Sequence, residues 1–282
     1  MPRPTIEAVT ADTLAAFSQF LHEHLDSSRS PAQWQQALST NWLPERPNFG
    51  FVLLDDGRIV GGIGALYAKR RIRGQIESVC NVTSWCVLDA YRKESMRLAI
   101  ALLSQPGFTY TDFSPTKVVG GTLRFLKFQP IDERQTVCLN LPRPAGGMRV
   151  LSDPAAITSA LGDQDRADFE AHIGFPWLRQ IAVGNEDGWC HVIYKRGHFK
   201  GLPSARILHV GNPEVFTSGF AAVARHLLMR GMVSTHVETR RLKGSVWPSK
   251  VRSGFNAKLF RSDRLGEDDI DYLYSETVAM DL

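Results

Sequence analysis

The sequence has few cysteines and no long apolar run, and both absences exclude classes of protein. Its four cysteines, Cys80, Cys86, Cys138 and Cys190, form no Cys-x-x-Cys pair and no closely spaced framework. This pattern is typical of reduced thiols in a reducing compartment such as the cytoplasm. No apolar stretch approaches the roughly 18 residues that a membrane-spanning helix needs, and Met1–Asp12 lacks the apolar core of a secretion signal. We therefore expect a cytoplasmic protein without a membrane span.

The sequence also lacks a strong excess of charge of either sign. Among 282 residues, 33 Lys and Arg are nearly balanced by 29 Asp and Glu. The formal net charge of +4 is too small to indicate a dedicated nucleic-acid binder. Hydrophobic residues make up 43% of the chain, which is enough to bury a core without disulfides and excludes a collagen, a disordered protein or a coiled coil.

One stretch, Leu141–Gly147, has the composition of a linker. Its two prolines and two glycines interrupt any helical or strand periodicity. A boundary here gives a first domain at residues 1–141, a linker at 142–147 and a second domain at 148–282. Because the second half repeats the order of elements of the first less clearly, we expect it to be a degenerate copy of the first domain.

The first half reads as a mixed α/β domain. Asp55-Asp56-Gly57 predicts a hairpin turn between two strands, and Gly61–Gly64 is better explained by a bulged strand than by a phosphate-binding loop. The alternation over Ile76–Leu88 predicts a long central strand. A strand at Gln135–Leu141 is expected to close this domain, and Ile270–Met280 is expected to be the last strand of the second.

The central strand runs directly into an amphipathic helix across Cys86–Leu98. The first amides of such a helix have no partner within the helix, and the helix dipole places partial positive charge there. The junction therefore suits a bound phosphate. The same pattern also occurs in any α/β core in which a residue such as Asp89 caps the helix.

The run Leu88-Asp89-Ala90-Tyr91-Arg92 resembles a motif of the GCN5-related N-acetyltransferase superfamily. In that family the central strand is followed by Pro-Glu-Tyr-Arg-like residues and an Arg/Gln-x-x-Gly-x-Gly turn. Arg92 takes the Arg/Gln position here, whereas Ser95 and Arg97 occupy the two glycine positions.

A second match extends the resemblance to residues 5–141. Phe125–Pro130 is similar to the family's Lys-Leu-Gly-Phe-x-Pro ending of the fourth helix, with Lys127 in place of the glycine. The resemblance implies a mixed, mostly antiparallel sheet flanked by helices, in which one parallel pair of strands splays apart.

The resemblance also implies a site for acetyl-CoA or a longer acyl-CoA, used as a substrate. In the family, main-chain groups of the central strand pair with the pantetheine arm, and by position these belong to Cys86 and Leu88. Amides of the following turn hold the pyrophosphate, which assigns this role to Arg92, Lys93, Glu94, Ser95, Met96 and Arg97. The guanidinium of Arg97 either contacts a phosphate itself or marks a turn that has lost the ligand.

Catalysis by this fold needs a base for the amine and an acid for the departing thiolate. In the family a tyrosine often acts as this acid, and Leu123 occupies its position here. The remaining candidates are Glu77, which resembles a base carboxylate of some members, and Tyr110 in the next strand and Ser114 at its end, either of which would line the predicted splay. Alternatively, Glu77 is a solvated residue at the end of a strand, and Tyr110 is a core residue whose hydroxyl is hydrogen-bonded.

Other chemistry-bearing patterns are weak. His22 and His24 lie two residues apart, a spacing that places them on different faces of a helix, so no metal site is expected. Arg240–Arg261 carries seven Lys or Arg and no acidic residue. This segment suits nucleic acid, an acyl carrier protein or CoA phosphates, but it also suits a solvated loop.

The resemblance therefore implies an acyl-CoA-dependent N-acyltransferase. It would move an acyl group from the CoA thioester to the amine of a small molecule by direct attack. The alternative is a catalytically inactive acyl-CoA-binding or regulatory module of the same fold, because Leu123, Ser95 and Arg97 depart from the family's pattern. Either protein would have an acyl carrier protein as a further candidate partner.

Overall fold

The computed structural model describes residues 3–40 and 42–281, and the chain divides into two compact units. Unit 1 comprises Met1–Ile131, Asn256–Ile270 and Tyr274–Leu282, and unit 2 comprises Asp132–Phe255 and Asp271–Leu273. This division differs from the boundary expected at Leu141–Gly147. Residues 132–141 belong to unit 2, and the C-terminal part of the chain contributes to both units.

Helices and strands are distributed over all of the described residues. Up to residue 131 they are β1 (Thr5–Ala8), α1 (Leu14–His24), α2 (Pro31–Ser39), β2 (Gly50–Asp55), β3 (Arg58–Ile72), β4 (Gln75–Val87), α3 (Ser95–Leu103), β5 (Phe108–Asp112), α4 (Lys117–Phe125) and β6 (Gln129–Pro130). They continue with β7 (Gln135–Leu139), β8 (Arg149–Leu151), α5 (Pro154–Ala160), α6 (Asp163–His172), β9 (Leu178–Asn185), β10 (Gly188–Phe199), β11 (Leu202–Val210), α7 (Pro213–Ser218), α8 (Phe220–Met229), β12 (Ser234–Glu238) and β13 (Ser249–Arg252). The last two are β14 (Leu259–Arg261) and α9 (Glu276–Ala279).

The described residues form two seven-stranded sheets with the same pattern of pairing. Unit 1 has the order β1-β2-β3-β4-β5-β14-β6, and unit 2 has the order β8-β9-β10-β11-β12-β7-β13. In each sheet the fourth and fifth strands are parallel and all other neighbours are antiparallel. Mixed, mostly antiparallel sheets with flanking helices are what the sequence resemblance implies.

The strand expected to close the first domain pairs in the other sheet. β7 forms where the sequence predicts a strand, but it lies between β12 and β13 of unit 2. The sixth position of the unit 1 sheet is filled by β14. Strands pair through main-chain groups that every residue carries, so local periodicity predicts a strand without identifying its partner.

The C-terminal segment also differs from expectation. Ile270–Met280 contains no strand, and α9 forms within it. All of its residues are buried, and a run that is buried on every side has no alternation to distinguish a strand from a helix.

The glycine-rich stretch lies in the long strand β3 and forms no phosphate-binding loop, and the bulge beside it has its extra residue on β4. The pairing of β3 with β4 shifts register between Gly62 and Gly64. A Cβ atom on Gly62 would lie 2.3 Å from Cε2 of Phe17, a fully buried ring of α1. Gly62 thus lets this helix pack closely on the sheet.

We predict that Gly62→Ala lowers the free energy of unfolding by about 1–3 kcal/mol, because the added methyl overpacks a filled core. Chemical denaturation followed by circular dichroism measures the change. Gly121→Ala is the matched control, since a Cβ at Gly121 in α4 meets nothing within 4 Å. Equal stability of wild type and Gly62→Ala would contradict the close packing.

Candidate functional site

Strands β4 and β5 of unit 1 separate after a short parallel stretch. They pair from Ser78↔Phe108 to Asn81↔Thr111, and β4 then continues to Val87. Beyond the last pair the two strands diverge, so each presents main-chain groups to the opening between them. This is the splayed parallel pair that the sequence resemblance implies.

A bulge in β4 lies within the diverging part. Ser84 has φ 51°, and the pairing of β4 with β3 shifts register next to it. A bulge bends its strand and increases the local twist. It therefore directs the end of β4 away from β5.

A cavity of about 290 Å³ occupies the opening, and we call it the crevice. Thr83, Ser84 and Trp85 of β4 line it on one side, and Asp112 and Ser114 at the end of β5 line it on the other. The indole Nε1 of Trp85 is buried and has no hydrogen-bond partner among the described residues.

Glu276 of α9 is inserted at the point where the strands diverge. It is 1% exposed, and its Oε1 accepts hydrogen bonds from the Phe113 amide (2.9 Å) and the Ser114 hydroxyl (3.0 Å). Asn81 accepts a bond from the Glu276 amide (2.8 Å) through Oδ1 and donates to Thr111 through Nδ2. The Glu276 carboxylate thus satisfies main-chain and hydroxyl groups that the separation of the strands leaves unpaired.

Glu276 and Asp112 form a buried carboxyl pair. Asp112 is 5% exposed and accepts one bond, from the Ser114 amide (3.1 Å). Burial, followed by the charge of Glu276, raises the pKa of Asp112 well above its usual range. Burial also raises the pKa of Glu276. Two neighbouring buried carboxyls oppose each other's ionisation, so the pair favours a state with one proton.

Among the three catalytic residues predicted from the sequence, Ser114 lies in the crevice. Glu77 lies before the paired stretch of β4, and its Oε2 accepts a bond from Arg264 Nη2 (2.6 Å) in a salt bridge. The hydroxyl of Tyr110 donates to the carbonyls of Gln105 (2.6 Å) and Leu102 (3.1 Å), and burial raises its pKa. Tyr110 is thus a core residue whose hydroxyl is fully hydrogen-bonded. Glu77 forms its salt bridge at the end of β4 that lies away from the crevice.

The main-chain groups of Leu88 are already used within unit 1. Its amide donates to the Val60 carbonyl (3.0 Å), and its carbonyl accepts from the Tyr91 amide (2.8 Å). Cys86, two residues earlier, pairs with Gly62 of β3, and its thiol donates to the His24 carbonyl (3.4 Å). Since main-chain directions alternate along a strand, Val87 and not Cys86 or Leu88 directs its groups to the other edge.

The turn after β4 is held by ion pairs. Asp89–Glu94 forms a 3₁₀ helix, and α3 begins at Ser95. Arg97 Nη1 donates to Glu94 Oε2 (2.7 Å) and to the Pro4 carbonyl (2.9 Å), while Arg92 pairs with Asp89 (2.7 Å). The guanidinium of Arg97 is therefore committed to unit 1 itself, and the Ser95 amide is committed too, because it donates to the Arg92 carbonyl.

The basic segment Arg240–Arg261 is divided between the two units. Residues 240–255 belong to unit 2, where Arg240 forms a buried salt bridge with Glu238, and residues 256–261 belong to unit 1. Lys258 is 3% exposed. The segment is therefore not one continuous cationic patch.

Within residues 3–40 and 42–281, no group of three or more His, Cys, Asp or Glu side chains is arranged to hold a metal ion. None of the helices described in this part of the chain combines the length and apolar character needed to cross a membrane.

Comparison with known proteins identifies the fold. No protein-family model matches the chain, and no curated protein matches it. Among solved structures, it is similar to a GCN5-related N-acetyltransferase from Anabaena variabilis ATCC 29413, with a TM-score of 0.62 and 11% identity over 92% of this chain and 72% of that chain. A conserved protein of unknown function from Enterococcus faecalis V583 has a TM-score of 0.60 and 12% identity over the same shares.

A third similar structure is a GCN5-related N-acetyltransferase from Kribbella flavida. Its TM-score is 0.57, with 13% identity over 92% of this chain and 71% of that chain. Identities this low establish a shared fold. The chain has the fold of the GCN5-related N-acetyltransferases.

We predict that Asn81→Ala lowers the free energy of unfolding by about 1–3 kcal/mol, because it leaves the buried Glu276 amide without its acceptor. Denaturant titration measures the loss, with exposed Asn256→Ala as the control. If the two variants were equally stable, Asn81 would not join α9 to the diverging strands.

Proposed function

We propose that unit 1 is an acyl-CoA-dependent N-acyltransferase that transfers an acyl group from the CoA thioester to the amine of a small molecule. The observation that carries this proposal is the crevice itself, which is lined by Asp112 and Ser114, with Glu276 buried behind them and bonded to the Ser114 hydroxyl. The fold supports it, since two of the similar structures bear the name N-acetyltransferase.

The acyl donor would lie along the separated strands. Main-chain groups on the edge of β4 beyond Asn81, which include those of Val87, suit the amides of a pantetheine arm. Amides of the first turn of α3, other than the Ser95 amide that donates to the Arg92 carbonyl, suit the pyrophosphate because the helix dipole adds positive charge there.

The Asp112–Glu276 pair would act as the base. A carboxylate with a raised pKa is a stronger base than an exposed one, and an attacking amine must lose a proton as its bond to the carbonyl carbon forms. The nitrogen forms the new C–N bond, the C–S bond breaks, and the pair receives the amine proton. The protonated carboxyl can then return a proton to the departing thiolate, a role that Leu123, buried in the core, does not fill.

Direct attack agrees with the state of the nearby thiol. Burial raises the pKa of Cys86, and its Sγ donates a hydrogen bond to the His24 carbonyl. A protonated thiol is a poor nucleophile. An acyl-cysteine intermediate at this position is therefore disfavoured.

We expect Asp112→Asn and Glu276→Gln to lower kcat/KM by about 100-fold or more, the usual contribution of a general base. Release of free CoA thiol from acetyl-CoA and longer acyl-CoAs, measured over a panel of amines, tests this. Asp12→Asn, an exposed residue before α1, serves as the control. Acyl-CoA binding without thiol release in the wild type would identify the inactive binding module, and no binding at high micromolar acyl-CoA would refute both.

The activity should also rise with pH. The base must be ionised, and burial raises the pKa of both members of the pair, so kcat/KM should increase through a pKa above the usual carboxyl range. A pH–rate profile of the wild type measures this. A profile already flat from pH 5 upward would contradict the role of the pair.

A further inference from the structure

We propose that unit 2 binds a linear apolar ligand with one anionic head group, such as a medium-chain carboxylate. The site is a cavity of about 370 Å³, within the size range of small-molecule sites. Its apolar wall consists of Val137, Leu139, Leu202, Val233 and Pro248. The crevice of unit 1 shares none of these residues, so the inference is independent of the proposed acyl transfer.

The strand pattern leaves this wall uncovered. Val137 and Leu139 are two residues apart on β7 and therefore point to the same face of the sheet, whereas Cys138 between them is fully buried in the core on the other face. Leu139 is 55% exposed, and Leu202 at the start of β11 is 57% exposed. Large apolar side chains that stay exposed together around a cavity mark a binding surface.

Three cations line the same cavity. They are Lys200, Lys250 and Arg252, and no acidic side chain is among the described residues that line it. The Arg252 guanidinium lies 5.5 Å from the centre of the Phe199 ring, and Lys200 Nζ lies 5.9 Å from it. Two cations are thus held beside one aromatic ring, which concentrates positive charge at the edge of an apolar wall.

Arg252 has unused hydrogen-bonding capacity. Its Nε is buried and has no hydrogen-bond partner among the residues that the structure describes. A buried donor without a partner costs free energy, and a carboxylate recovers it through charge-assisted bonds. The positive charge of Arg252 also acts on His236. Burial lowers the pKa of His236, and the charges of Arg206 and Arg252 lower it further.

These features select one ligand chemistry. The apolar wall favours a hydrocarbon chain, and the uncompensated cations favour a single anion at its end. A cationic amphiphile of the same length would be repelled. An uncharged alcohol would keep the contacts of the chain and lose those of the head group.

Calorimetric titration of the full chain with decanoate tests the proposal, with decyltrimethylammonium as the matched probe of opposite charge. We expect one decanoate per chain and no saturable binding of the cation. The double variant Lys250→Ala/Arg252→Ala should weaken decanoate binding by about tenfold or more, whereas Arg225→Ala, an exposed arginine of α8, should not change it.

Lys250→Glu keeps the test decisive if the double variant does not fold, because Lys250 is exposed on β13 and charge reversal there should weaken binding as strongly. Leu139→Asp should weaken it through the apolar wall. Equal affinity for the two amphiphiles, unchanged affinity in these variants, or no saturable binding would overturn the proposal. A change of oligomeric state in Leu139→Asp without any decanoate binding would also overturn it and identify an interface between copies of the chain.

Discussion

The short parallel pairing of β4 and β5 is the constraint on which the proposed site depends. Main-chain amides and carbonyls must find partners when they are removed from water. The two strands stop pairing after Asn81 and Thr111, and the groups beyond need other partners. Glu276 supplies one of them by accepting a hydrogen bond from the Phe113 amide, so a carboxylate is buried where the strands part.

The burial of Glu276 has a chemical consequence. Its carboxyl group neighbours that of Asp112, and burial raises the pKa of each. Ionisation of either group therefore costs more free energy than it does in water. Such a pair is costly for stability, and perturbed carboxyls in a cavity are typical of functional sites. The same features that stabilise the divergence of the strands thus produce a group suited to proton transfer.

The sequence predicted the elements of this architecture better than their partners. The hairpin at Asp55-Asp56-Gly57 forms, with Asp56 and Gly57 both at positive φ, because the turn chemistry is local. The positions of β7 and β14 in the two sheets depend on pairing between strands that are far apart in the sequence, such as Leu139↔Ser234 and Arg261↔Tyr110, which no local pattern encodes. The positions of Ser114 and of the splay followed from the resemblance to a known family.

Glu276, Leu88 and Ser84 have structural roles that no local pattern of the sequence indicates. Glu276 lies in a segment buried on all sides, so its run of apolar neighbours resembled a strand and gave no sign of a functional carboxylate. At Leu88 the expected free main-chain groups are bound to Val60 and Tyr91. The bulge at Ser84, a non-glycine residue at positive φ, adds a residue to β4 and changes which groups face the opening.

The most direct test of the central claim is a crystal structure of the chain with bound acetyl-CoA, in which the position of the acyl carbonyl carbon is measured. We expect this carbon to lie in the crevice between β4 and β5, beside the carboxyl groups of Asp112 and Glu276. An acyl group found elsewhere on the chain, with the crevice closed around Glu276, would contradict it.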